Sequence, residues 1–175
     1  MSNYSKVIKL IIFISVLVAF SVAIIYMESS MDNINDVMPE ISKYIVQGDR
    51  DYNDAVDLVN EKYFYDGADK LNSAEHNYNM SLNLLSKVKN NFTVDIDDVH
   101  KQYIDLVYAE VEMKLKAVES FKIAIEYFQI EENATGTSYA GEANEYIYEA
   151  VQYQNSRDKL VKDNPNLFKG NFIFN

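Results

Sequence analysis

The chain has no cysteine, two prolines and five glycines in 175 residues. Without cysteine there is neither a disulfide framework nor a lipobox, so any folded part is held by its core alone. So little proline and glycine leaves few breaks and favours long helices. Positive charge is scarce too: 16 Lys and Arg stand against 27 Asp and Glu, for a net charge of −11. Nucleic-acid binders need a basic stripe, so that class of partner is excluded. An acidic surface also does not settle on anionic lipid headgroups. HExxH, a Cys/His ligand set, EF-hand spacing, a Gly-rich phosphate loop and a nucleophile–base pair are all missing, so no cofactor, no metal and no enzyme activity are expected.

What is present begins with Val7–Tyr26, VIKLIIFISVLVAFSVAIIY, whose only charge is Lys9. About 20 apolar residues match the ~30 Å hydrocarbon core of a bilayer, and in lipid such a segment must be a helix. Lys6 and Lys9 precede the run, while Glu28, Asp32 and Asp36 follow it before the first base, Lys43. The positive-inside rule then places the N-terminus in the cytoplasm and the rest outside, a single-pass protein of the cell membrane. The alternative is a cleaved signal peptide, since Ser21-Val22-Ala23 offers small residues for a peptidase. The expected domains are an anchor at 1–26, an extracytoplasmic helical bundle at 27–165 and an apolar tail at 166–175.

Beyond the run the apolar residues fall on helical stripes at spacings of three and four. The first holds Ile34, Val37, Ile41, Tyr44, Ile45, Tyr52, Ala55, Leu58 and Val59, with Pro39 and Gly48-Asp49 as points where the helix should kink or break. The second holds Ala68, Leu71, Ala74, Tyr78, Leu82, Leu85 and Val88, and stops at Asn90-Asn91. Thr93 or Asp95 caps a third stripe from Ile96 through Tyr103, Leu106, Glu110, Met113, Ala117 and Phe121 to Phe128. Residues 131–138 read as a loop, and Ser138 as the cap of a fourth stripe, Ala140, Ala143, Ile147, Ala150, Val151, Gln154 and Val161, which ends at Asn164-Pro165. Four such helices with short connections imply an all-α, antiparallel up-down-up-down four-helix bundle with coiled-coil-like packing.

The segment from Tyr63 to Ala74 resembles the middle of a tetratricopeptide repeat, with Tyr65, Ala68 and Ala74 at the aromatic and small positions of that family. The resemblance implies a helical hairpin. The layout as a whole, a short basic N-terminus, one anchor and an acidic, Asn- and Tyr-rich helical part, is similar in style to uncharacterised membrane-anchored surface proteins of low-GC archaea, methanogens among them. It also resembles the four-helix sensory modules of chemoreceptors and sensor kinases. Those return through a second membrane helix to a signalling domain, which is missing here.

Few residues invite chemistry. His100 with Asp97 and Asp95–Asp98 suggests oxygen ligands, but acids at a helix start ordinarily complement its dipole. Glu110 on an apolar stripe brings di-iron bundles to mind, yet neither His76 nor His100 has a Glu three residues before it. Glu110 is expected at the stripe's edge, reaching solvent or a lysine. Asn79, Asn91 and Asn133 open glycosylation sequons. Tyr146, Tyr148 and Tyr153 cannot all face one core, and Phe168, Phe172 and Phe174 make the tail apolar. These six are the candidate contact residues. The functional expectation is a non-catalytic module acting on another protein as scaffold or accessory subunit. The alternative is a ligand-sensing module that signals through a separate partner.

Overall fold

The computed structural model describes residues 32–90 and 96–168, with side chains from Val37 on. The protein is all-α, and among the described residues no strand forms. Four helices follow in order: α1 (Asp32–Asn60), α2 (Phe64–Asn90), α3 (Asp98–Gln129) and α4 (Asn133–Asp163).

Successive helices run antiparallel, as their cross-links show. Tyr78 bonds Asp49 and Lys70 bonds Asp54 between α1 and α2. Glu75 pairs Lys122 and Lys89 pairs Asp105 between α2 and α3. Gly136 lies against Phe128, and Arg157 against Glu110, between α3 and α4. The closest packing is within the hairpins α1–α2 and α3–α4. The α2–α3 seam is next, α1 touches α3 narrowly, and α4 makes no close backbone approach to α1 or α2.

Among the described residues no helix is long and apolar enough to cross a membrane. Each carries charged side chains along its outer face, so none offers the ~20 apolar residues that a span needs. The run at 7–26 lies outside the described residues. The localisation expected from sequence, a cell-membrane protein with a cytoplasmic N-terminus and an extracytoplasmic bundle, is therefore corrected: none of the four helices carries it.

Helix boundaries moved in three places. α1 passes Pro39 without a break, and Pro39 is exposed. It stands about two turns inside the helix, so its missing donor forfeits one backbone bond there while the exposed ring faces solvent. α3 is capped by Asp97, whose carboxylate accepts from the Val99 N–H at 2.7 Å. Thr93 and Asp95 lie outside the described residues. α4 begins at Asn133, so most of the expected loop is helix. Its Gly136 is a close helix contact rather than a loop residue: a Cβ there would stand 2.7 Å from the Phe128 ring.

The two hairpins repeat each other. The buried positions of α2 (Gly67, Leu71, Ala74, Tyr78, Ser81, Leu85 and Val88) recur at the same spacing in α4 as Gly136, Ala140, Ala143, Ile147, Ala150, Gln154 and Arg157. The offset that carries Gly67 onto Gly136 also carries the buried residues of α1, among them Ile41, Ile45, Asp49, Tyr52, Ala55 and Val59, onto buried Glu110, Lys114, Val118, Phe121, Ala124 and Phe128. The turns match as well. Tyr63 N–H bonds the Leu58 carbonyl at 2.8 Å, and its counterpart Glu132 bonds that of Tyr127 at 2.9 Å. Lys62 (φ 68°) and its counterpart Glu131 (φ 63°) both take the left-handed conformation that closes such a helix end. Counterparts Tyr52 and Phe121 meet with ring centroids 5.8 Å apart, and because α2 packs on α3 while α4 stays clear of α1, the two hairpins stack in tandem rather than about a two-fold axis.

Gly48 is a close approach rather than a weak point. A Cβ on it would meet Tyr78 Cε1 at 2.5 Å, so the Tyr78 ring lies directly on the α1 backbone. Gly48→Ala should displace that ring, break its bond to Asp49 and lower the melting temperature, despite alanine's better helix propensity. A rise in melting temperature on thermal unfolding would contradict this placement.

Candidate functional site

The core is mostly aliphatic and aromatic. Leu71, Leu85, Met113, Phe121 and Ile147 are buried as their stripes imply, while Leu82 and Leu106 are half-buried. Set into it is a charged layer drawn from all four helices. Asp49 of α1, Tyr78 of α2, Glu110 and Lys114 of α3 and Arg157 of α4 are each at most 4 % exposed.

The geometry is closed. Lys114 Nζ lies 2.8 Å from Asp49 Oδ1, 3.0 Å from Asp49 Oδ2 and 2.9 Å from Glu110 Oε1. Arg157 Nη1 donates to Glu110 Oε2 at 2.7 Å. The Tyr78 hydroxyl donates to Asp49 Oδ1 at 2.8 Å, and its ring lies 5.9 Å from the Lys114 ammonium. Glu110 is thus fully buried and held between two cations, where the sequence placed it at an edge.

Burial pushes the Asp49 carboxyl above the usual carboxylate range, with Lys114 pulling it back down. Burial also works against the Lys114 charge, but Asp49 and Glu110 outweigh it and hold the ammonium above the ordinary lysine range. For Asp49 the contact geometry decides. A lysine touching both its oxygens keeps the carboxylate ionised at neutral pH, so the layer holds two anions and two cations.

Three phenols bound this layer. Burial raises Tyr52 and Tyr78 well above the ordinary range and pushes Tyr103 up to about 12. A proton held more tightly in the folded state stabilises fully below the unfolded value and is lost as pH rises through the folded one. The three phenols and Lys114 all shift in that direction. Stability should therefore hold up to about pH 10 and fall steeply above it, with phenolate absorbance of the buried tyrosines appearing only as helical circular dichroism is lost. Full phenolate formation with the helical signal intact would contradict their burial.

The sequence-based candidates scatter. Tyr148 is exposed, Tyr153 is half-buried, and Tyr146 bonds Glu142 with the Lys116 ammonium 5.7 Å from its ring. Phe168 faces inward: it is buried, its ring 5.1 Å from His100 and 5.7 Å from Tyr103. His100 Nε2 contacts the Leu167 carbonyl at 3.1 Å, so the start of the tail docks on the helices and Phe168 is not offered to a partner. Phe172, Phe174 and Asn91 lie outside the described residues. Asn79 and Asn133 are exposed, on α2 and at the start of α4, and His76 is exposed. Among the described residues no group of three or more acids and histidines is placed to hold a metal ion.

One surface feature was not read from the sequence. Tyr63, Tyr65 and Ile130, at 55 %, 80 % and 67 % exposure, stand at the end where the two hairpin turns lie. Beneath them Phe64 stacks on Phe128 with centroids 6.1 Å apart, which ties one hairpin's turn to the other's. The available signal was the aromatic run Tyr63-Phe64-Tyr65, more apolar than a helix connection needs. Nearby, an open depression between α1 and α2 is lined by Asp54, Asp57, Leu58, Glu61 and Lys70. Compared with protein-family models, curated proteins and solved structures, the chain matches none.

Proposed function

We propose that this chain is a non-catalytic helical module that works through protein–protein contact, as a scaffold or accessory subunit. The observation that carries this reading is the turn-end group of Tyr63, Tyr65 and Ile130. Large apolar side chains gathered on an acidic surface mark a contact site, and tyrosine is enriched in such interfaces. The charged layer favours the same reading, because its groups satisfy one another in the interior and face no cleft. The tetratricopeptide-like Tyr65 belongs to this patch, which fits a hairpin that presents its turn.

The test is a triple variant, Tyr63→Ser, Tyr65→Ser and Ile130→Ser, retrieved beside wild type from the native host. Contact through this end predicts about a tenfold or greater loss of a co-purifying protein with an unchanged melting temperature. Full retention of that protein by the triple variant would move the contact elsewhere. A second reading, a ligand-sensing module, is favoured by the depression whose Asp57 and Glu61 suit a small organic cation beside an Asp54 already held by Lys70. Calorimetric titration with a polyamine that shows no saturable heat would remove it.

A further inference from the structure

We propose that copies of this chain stack head to tail, the free face of α4 in one copy packing on the free face of α1 in the next. The contact is separate from the turn end and continues the seam between α2 and α3. That seam is the main junction of the two hairpins, and it repeats every seven residues on both helices. Glu75 pairs Lys122 at 2.6 Å, and the Lys89 ammonium lies 4.6 Å from the Tyr108 ring. This antiparallel register sets Leu82 across from Leu115 between them, both half-buried against the core.

The offset that carries Gly67 onto Gly136 puts a counterpart of each half at an end of the tandem. On α4, Thr137, Asn144, Val151 and Asp158 stand where α2 has Ala68, Glu75, Leu82 and Lys89. On α1, Pro39, Val46 and Asn53 stand where α3 has Tyr108, Leu115 and Lys122. All seven are at least partly open to solvent. Repeat arrays end in polar capping faces that keep them soluble. Here the chain carries a net charge of −11, yet the only charge among the seven is Asp158, 3.5 Å from Arg157 Nε. Apart from the turn-end group, the exposed large apolar side chains among the described residues are Val46, at 37 %, and Tyr148, at 58 % beside Val151.

The two end faces also match each other. In the internal register, α1 of one copy on α4 of another sets Val46 across from Val151 and Asn53 across from Asn144. Arg50, exposed on α1, then comes beside Tyr148, where its guanidinium can lie on the ring. Such a contact is heterologous and leaves one free face at each end of the stack. Copies this acidic repel one another, so salt should strengthen the contact.

The test is energy transfer between full chains. Because the chain has no cysteine, Lys87→Cys at an exposed site on α2 takes a donor dye in one batch and an acceptor in another. Mixed wild-type batches should show transfer that rises with protein and salt concentration. Val46→Asp and Val151→Asp each spoil one face, so either variant alone should associate about tenfold or more weakly. Donor-labelled Val46→Asp mixed with acceptor-labelled Val151→Asp keeps one intact contact, so transfer should return and level off at a one-to-one ratio. Asn144→Glu repeats the α4 arm if Val151→Asp, at a half-buried site, lowers the melting temperature. No transfer between wild-type copies would overturn the proposal. So would single variants that associate like wild type, or a mixture of the two that regains nothing.

Discussion

Lys114→Met should lower the unfolding free energy by about 3–5 kcal/mol, the range for removing one partner of a buried ion pair. Methionine fills much the same volume, so the loss is not a cavity effect. It arises because Asp49, 4 % exposed, then loses its cation and faces Glu110, which keeps only Arg157. Removing the whole layer should act in the opposite direction. Replacing buried ion pairs with well-packed aliphatic groups is often neutral or stabilising by about 1–4 kcal/mol. Denaturant unfolding of Lys114→Met, and of a variant that carries Asp49→Val, Tyr78→Ile, Glu110→Ile, Lys114→Ile and Arg157→Val together, separates the two cases. A single variant as stable as wild type would mean that water reaches Lys114, contrary to its 1 % exposure.

Phe121→Ala should lower the unfolding free energy by about 3–5 kcal/mol, for a different reason. Phe121 packs against Tyr52, where α1 and α3 meet. Truncating it opens a cavity between the two hairpins, and the helices cannot close it without disturbing Lys114 about two turns away. The opposite partner gives the internal control. The Tyr52 hydroxyl is buried without a hydrogen bond among the described residues, so Tyr52→Phe should stabilise by about 1 kcal/mol. Chemical denaturation checks both, and a loss below about 1 kcal/mol for Phe121→Ala would show that the hairpins do not meet there.

The helices were legible because their core residues keep a spacing of three and four over about seven turns each, a signal that short-range chemistry rarely disturbs. The charged layer was only half legible. Glu110 stood out on its stripe, but Lys114 and Arg157 keep the stripe's spacing too, between Met113 and Ala117 and three residues after Gln154. Reading lysine and arginine as surface residues hides a stripe that continues through charge. Gly48-Asp49 looked like a weak point for a related reason. Its role depends on Tyr78, which arrives from another helix, and no local pattern records that. The repeat escaped notice because the two hairpins share burial rather than identity. Leu71 corresponds to Ala140 and Val88 to Arg157, so comparison of residue types shows little. The loop expected at 131–138 rested on Gly, Thr and Ser, and the structure uses that glycine for a close helix contact instead.

The function rests on whether the turn end touches another protein. The most direct measurement is site-specific photocrosslinking in the native host, with a photoreactive amino acid at Tyr65 and, as a control, at exposed His76 on α2. Contact through the turn end predicts one discrete heavier species at Tyr65 and none at His76, lost when Tyr63 and Ile130 are changed to serine. Crosslinks of equal yield at both positions, or none at Tyr65, would contradict it.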